Sequence, residues 1–355
     1  MEMNPVMERY IDLLKKLIAT PSLSREEQDA AQVIRDFLTE MAVPFETKLN
    51  NTWIRNKFWK EKLPVVLLNS HIDTVKPAGG YTRDPFNPTI EDGILYGLGS
   101  NDAGASLVTL LAVFMHFYAD ENLPFNLIYA ASAEEEVSGL NGLACILGEL
   151  GPLDLAIVGE PTKMQLAIAE KGLMVLDCTS HGKSGHAARE EGDNAIYKAI
   201  TDIEILKNYR FEKVSEVLGP VKMSVTLINA GTQHNVVPDK CSFVVDVRTN
   251  EFYSNQQAYE IINGLIVSDV NARSFRLNSS GILVDHPIVR RGIGMGLSYY
   301  GSPTTSDQAV IPYPSVKIGP GDSARSHTAD EYIYLKELEE GFRIYIELLS
   351  GLELV

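Results

Sequence analysis

Short, wholly apolar runs alternate with longer stretches of helical periodicity over the first 160 or so residues. Val6, Tyr10, Leu13, Leu14, Leu17 and Ile18 recur at the spacing of one helix face over residues 5–20, and Pro21 stops the helix. Ser24 with Glu27 reads as a capping box that opens a second helix to about Met41, with Ala31, Val33, Ile34 and Leu38 inward. Strands are predicted near 52–58 and 64–70. The second carries Pro64, Val65, Val66, Leu67 and Leu68, a continuous apolar run that fits a strand buried on both faces. Residues 76–93 are rich in Pro, Gly, Asp and Asn and form a long loop. Ala103 to Tyr118 is an apolar helix; Phe125 to Ala131 and Leu153 to Val158 are strands on either side of a helix around 139–149. Strands alternating with helices predict an α/β catalytic domain with a mostly parallel central sheet.

The pattern changes after Glu160. Over 164–180 the apolar residues alternate (Leu166 and Ile168, then Leu173, Val175, Leu176 and Cys178), as in strands with one face in solvent. A helix near 192–207, strands near 221–229 and 240–248 and a helix near 253–266 follow. This order predicts a small α+β, ferredoxin-like domain inserted into the first. From about 284 the α/β texture returns, with a helix near 287–299, a strand near 314–318 and a closing helix from Leu335 to Leu349. The predicted organisation is residues 1–169 with 283–355 as one domain and 170–282 as the insert.

A hydrophobic fraction of 45% over 355 residues is enough to bury a full core. The chain has 31 basic and 47 acidic side chains, a formal net charge of −16, which disfavours nucleic acid and anionic membranes as partners. Cys145, Cys178 and Cys241 are odd in number and show no Cys-x-x-Cys spacing, so they read as buried thiols in a reducing compartment. The N-terminal stretch lacks a basic region followed by an apolar one, and no window approaches the roughly 18 apolar residues of a membrane span. A cytoplasmic protein is expected.

The candidate chemistry sits where the strands end. His71 follows the apolar run 64–68, and Asp73, two residues on, lies within reach of the second imidazole nitrogen, as a metal-bound histidine needs. Asp102 follows a turn containing Gly97 and Gly99 and opens the apolar helix. It is either a helix cap or a carboxylate shared between two cations. A dinucleotide fingerprint is excluded because the third glycine is missing. Glu134, Glu135 and Glu136 follow a buried strand. They read either as a surface acid run or as a set in which one carboxylate ligates a metal and its neighbour acts as general base. Glu160, before Pro161, and His327, in the loop after the 314–318 strand, are a further carboxylate and imidazole at strand ends. Together these form a mixed N/O donor set suited to two Zn²⁺ or similar divalent ions.

With those residues in place the chain resembles the metal-dependent amidohydrolases and exopeptidases that include acetylornithine deacetylase, succinyl-diaminopimelate desuccinylase, aminoacylase and glutamate-releasing carboxypeptidase. The motifs are His71-Ile-Asp-Thr, Gly99-Ser-Asn-Asp-Ala-Gly104, Glu134-Glu-Glu-Val, Val158-Gly-Glu-Pro-Thr162 and Gly182-Lys-Ser-Gly-His-Ala-Ala188. The resemblance implies a pair of divalent metal ions, Zn²⁺ or Co²⁺: His71 and Glu160 on one, Glu136 and His327 on the other, Asp102 between them and Asp73 orienting His71. It implies that Glu135 is the general base and that 170–282 is a dimerisation or lid domain of a homodimer. There His186 reaches the partner subunit's active site and stabilises the oxyanion, while Asn235 and Arg248 contact the substrate. Three departures stand out: Glu134 where the family has Asp, Leu98 where an arginine is common, and Arg189-Glu190 where a proline is frequent. The expected activity is hydrolysis of the amide bond of an N-acyl amino acid. N-acetylornithine is expected first, then N-acetylcitrulline, N-succinylornithine or N-acetyllysine, in arginine or lysine biosynthesis. A dipeptidase or aminoacylase is the alternative within the family. A catalytically silent metal-binding relative is the alternative outside it, opposed by the complete donor set and Glu135.

Overall fold

The structure is a computed structural model that describes residues 5–189 and 191–354. The first four residues, part of the stretch read as lacking a leader, lie outside the described residues, as do Glu190 and Val355. The chain forms two compact units, Met1–Ile168 with Gly281–Tyr300 and Ser306–Val355, and Ala169–Ser280 with Gly301–Thr305.

The first unit is built on a nine-stranded sheet. Its middle is parallel, in the order Asn126–Ser132, Val65–His71, Leu155–Val158, Ser315–Lys317. These strands are buried almost throughout, as the apolar sequences of the first three require when helices cover both faces. The flanks are antiparallel: Asn51–Arg55 against Asn126–Ser132, Glu46–Lys48 against Asn51–Arg55, and Leu166–Glu170 against Ser315–Lys317. The sheet is therefore mixed, which corrects the expectation of a mostly parallel one. The cause is local. Glu46–Lys48 and Asn51–Arg55 are joined by only Leu49 and Asn50, with Leu49 at φ 55°, and so short a link permits only an antiparallel hairpin.

Helix Ala105–Phe117 is apolar on every side and is buried between the sheet and the outer helices Pro5–Ile18 and Leu335–Leu349. On the other face Leu143–Leu150 closes a core with Trp53, Leu67, Ile128 and Ala156. The second helix spans Gln28–Glu40, but the capping box expected from Ser24 and Glu27 is absent, because neither side chain bonds a first-turn amide. The predicted helix near 287–299 ends at Gly294, and Gly296 at φ 88° turns the chain into a strand at Tyr299–Ser302. Within the long loop, Thr89–Glu91 and Ile94–Tyr96 form a hairpin over Asp92 and Gly93, both at positive φ. Tyr332–Tyr334 adds a third strand to that hairpin and ties the chain after His327 to the chain before Gly97.

The second unit runs strand Met174–His181, helix Ala195–Asn208, strands Lys222–Ala230 and Lys240–Arg248, helix Asn255–Leu265, strand Asp269–Ala272. The four strands form one antiparallel sheet in the order Lys222–Ala230, Lys240–Arg248, Met174–His181, Asp269–Ala272. Alternate residues of the two central strands (Met174, Leu176, Cys178; Phe243, Val245, Val247) pack with Ala199, Leu206 and Ile262 of the helices. The fourth strand has too short an apolar run to stand out in sequence. All three cysteines are free, and among the described residues no helix is long and apolar enough to cross a membrane.

Candidate metal centre

The parallel strands bring their carboxyl ends to one edge, and four of the expected donors follow from that register. His71 is the last residue of its strand and pairs with Ser132, so the acidic triplet starts two residues beyond the neighbouring strand's end. Glu160 follows Leu155–Val158 on the other side. His327 comes from the loop after Ser315–Lys317, and Asp102 from the turn before the central helix.

The side chains converge on His71. Its Nε2 is buried, makes no hydrogen bond, and lies 3.4 Å from Asp102 Oδ1, 3.7 Å from Glu160 Oε1 and 3.9 Å from Glu135 Oε2. A second cluster forms on the outer side: His327 Nε2 lies 3.0 Å from Glu136 and 3.5 Å from Asp102 Oδ2. Asp102 thus presents one oxygen to each imidazole. His71 with Asp102 and Glu136, and His71 with Glu135 and Glu160, each bring their donor atoms within 4.8 Å of one another. An unpaired buried imidazole nitrogen ringed by carboxylates fits a divalent cation, since such a cluster is otherwise mutually repulsive.

Electrostatics reflect that crowding. Burial alone would lower the His71 pKa, but the carboxylates of Asp102 and Asp73, with Glu135 and Glu160, hold it well above the usual imidazole value. Burial pushes Glu135 well up; His71 opposes this, while Glu160, Asp307 and Glu136 add to it. Burial likewise pushes Glu160 up to about 8. The bond to Glu136 raises His327 to about 9.

Asp73 supports the cluster differently from the expectation. His71 Nδ1 sits 2.8 Å from the Asp73 backbone oxygen, against 3.5 Å from its carboxylate. The carboxylate instead accepts the amides of Glu135 (3.0 Å) and Glu136 (3.1 Å) and the Ser24 hydroxyl (2.7 Å). Within the triplet, Glu134 turns away, its side chain accepting from the backbone and side-chain nitrogens of Asn141. Glu135 and Glu136 are left facing the cluster.

Three candidates lie in the second unit. His186 pairs with Val236 in a short two-stranded ladder, and just beyond it the Ala187 amide donates to the Asn235 carbonyl at 3.0 Å. His186 Nδ1 accepts the Ala188 amide at 3.1 Å, which leaves Nε2–H as the outward donor. Arg248 is separate, held by a two-pronged bond to Asp246 and reaching Thr305 Oγ1 at 3.4 Å.

Sequence reasoning missed Glu331. It is 1% exposed, and its carboxylate accepts the amides of Gly99 (3.2 Å), Asn101 (2.9 Å) and Asp102 (2.9 Å). Its spacing of four from His327 was the available signal.

A hydrolase class is thus defined by strand-end histidines and carboxylates on an α/β sheet. The chain belongs to the Peptidase family M20/M25/M40, which it matches over residues 67–351, and it is a metal-dependent amidohydrolase. It is 25% identical over 371 aligned positions to a succinyl-diaminopimelate desuccinylase of Wolbachia pipientis, covering 96% of this chain and 92% of that one. It is 26% identical over 383 positions to the protein of the same name from Delftia acidovorans, covering 98% and 99%. In fold it is similar to the aminopeptidase PepT of Bacillus cereus, with a TM-score of 0.78, 19% identity and 98% of each chain covered. The M20 metallo-carboxypeptidase Sso-CP2 of Sulfolobus solfataricus has a TM-score of 0.74 at 16% identity, covering 98% of this chain and 99% of that one.

Proposed function

We propose that the protein hydrolyses the amide bond of an N-acyl amino acid, with N-acetylornithine or a close relative as substrate. The observation that supports this is the unpaired His71 Nε2 with Asp102, Glu160 and Glu135 within 3.4–3.9 Å. His71, Glu160, Asp102, Glu136 and His327 would hold a pair of divalent metal ions. When bound, the metal pair polarises the scissile carbonyl and lowers the pKa of water, as two-metal hydrolases require. Glu135 takes a proton at Oε2 from the attacking water and passes it to the leaving nitrogen. Its burial favours the protonated form it must hold in between. His186 would offer Nε2–H to the developing oxyanion in a partner subunit's site, and Arg248 and Asn235 would bind polar groups of the substrate. N-succinyl-diaminopimelate is a second reading, supported by the names of the curated relatives.

The second unit serves as lid and as dimerisation domain in this reading. Its sheet edge Lys222–Ala230 carries Leu227 and Ile228, 57% and 52% exposed, beside the exposed Tyr197 and Ile200 of the adjoining helix. A second copy is the partner that would cover such an edge. The free thiols support a cytoplasmic setting.

The test is free-amine release from N-acetylornithine, N-acetylcitrulline, N-succinylornithine, N-succinyl-diaminopimelate and a dipeptide by Zn²⁺-loaded protein, beside Glu135→Gln. Turnover of one acyl amino acid, falling at least ~100-fold in the variant while metal stays bound, is expected for loss of a general base. Turnover of the dipeptide alone would replace this reading with a peptidase. No turnover with metal bound would leave the silent relative.

A further inference from the structure

Ser24 and Glu27 were read above as a helix cap, and the structure gives both a different task. They lie in the segment joining the first two helices, which is laced to the chain just after His71: Ser24 N–H donates to the Thr74 carbonyl at 3.3 Å, and Thr74 N–H to the Ser22 carbonyl at 2.9 Å. From there Ser24 Oγ donates to Asp73 Oδ2 at 2.7 Å. Glu27, 0% exposed, accepts the Glu134 amide at Oε1 (3.2 Å), along with the Arg25 amide, and Asn50 Nδ2 at Oε2 (2.9 Å).

The acidic triplet therefore has each of its successive amides fixed by a buried carboxylate. Glu134 N–H ends on Glu27, Glu135 N–H on Asp73 Oδ1 and Glu136 N–H on Asp73 Oδ2. That arrangement is needed because the loop has no ladder of its own there, and Glu134 sits at φ 54°, a region a residue with a side chain rarely occupies. Asp73 Oδ2 accepts from both Ser24 and Glu136, so the hydroxyl fixes the rotation of the carboxylate that both amides read. Without it, Asp73 can swing toward His71 Nδ1, 3.5 Å from Oδ1, and release them.

We propose that Ser24 and Glu27 are positioning residues for the acidic loop: Ser24, through Asp73, sets Glu135 and Glu136, and Glu27 sets the turn at Glu134 that aims them. The inference rests on the reading of Glu135 as base and Glu136 as ligand. Neither side chain caps Gln28–Glu40, so their loss is not expected to unwind that helix.

The test compares Ser24→Ala, Ser24→Thr and Glu27→Gln in the full chain with three readouts: amide exchange of 133–137 in metal-free protein, the visible spectrum of the Co²⁺-loaded protein, and kinetics. Ser24→Ala is expected to speed exchange at Glu135 and Glu136, shift the Co²⁺ bands and lower kcat about 10–100-fold at near-constant KM, the range for residues that orient metal ligands. Ser24→Thr, which keeps the hydroxyl, is expected to restore all three. Glu27→Gln is expected to loosen the Glu134 amide first. Wild-type exchange and Co²⁺ spectrum in Ser24→Ala would overturn the proposal, as would faster exchange confined to Gln28–Glu40. Exchange and spectrum need no turnover, so they decide this point even if Glu135→Gln stays active and the reading of Glu135 fails.

Discussion

Glu331 carries no expected role in sequence, yet it holds the turn that delivers Asp102. Its Oε1 accepts both the Asn101 and Asp102 amides at 2.9 Å, and its own carbonyl accepts the Gly97 amide at 2.9 Å. Glu331→Gln puts an NH₂ where one of these oxygens faces backbone donors, leaving at least one buried amide unpaired at a cost of about 1–3 kcal/mol. Metal affinity is expected to weaken about 10–100-fold, because Asp102 would lose its fixed position. Titration of Zn²⁺ against a chromophoric chelator measures this, and unchanged affinity would show that Asp102 is held by its other contacts alone. At this scale the first layer of the site was legible, because His71, Glu135, Glu136 and Glu160 each follow an apolar run that sequence can see. Of the supporting layer only Asp73 was. Ser24-x-x-Glu27 matches a capping box letter for letter, and only the three-dimensional path shows that Asp73 and Glu134 compete for the same side chains.

Among the elements, three of the four inner strands were legible because burial on both faces leaves an apolar run, and Ser315–Lys317 showed only through Val316 and Ile318. Of the flanks, Asn51–Arg55 was legible as the strand near 52–58, but Glu46–Lys48 was not, since it is three exposed polar residues and its direction is set by a two-residue turn. The strand Lys222–Ala230 was found in sequence, but its position at an edge could not be, because register and neighbours do not show in a single strand's pattern. That edge supports a prediction. Replacing Leu227 with Asp and Ile228 with Lys puts charges at positions already 57% and 52% exposed, so the unit should fold with stability changed by about 0.5 kcal/mol or less. Light scattering after size exclusion is expected to show a dimer for the natural chain and a monomer for the double variant. A natural chain that is monomeric at micromolar concentration would remove the homodimer.

For the molecule as a whole, the site places Asp102, Glu135, Glu136 and Glu160 around two imidazoles in a chain already at −16, and in the metal-free protein burial holds protons on Glu135 and Glu160 while the facing carboxylates hold them on His71 and His327. Glu160 keeps its proton up to about 8 and His327 up to about 9. Both groups, and likewise His71, whose pKa the surrounding carboxylates hold well up, must be deprotonated to ligate a metal, so loading at pH 7 displaces one proton from each. The sign follows: these pKa values are raised, protons compete more strongly as pH falls, and apparent metal affinity should climb from pH 6 to pH 9 and level off above it. Calorimetric loading at pH 7 in two buffers of different ionisation enthalpy is expected to report a release approaching three protons, and a buffer-independent heat would contradict the assignment of these donors. Metal at about 100 times its Kd stabilises the folded state by about 2.7 kcal/mol. At ~2–4 °C per kcal/mol for domains of 150–250 residues, the melting temperature should rise by about 5–10 °C and fall back on adding a chelator. The same titration on Glu331→Gln at fixed metal should give a smaller rise, because it binds the ion more weakly while its donor atoms are unchanged.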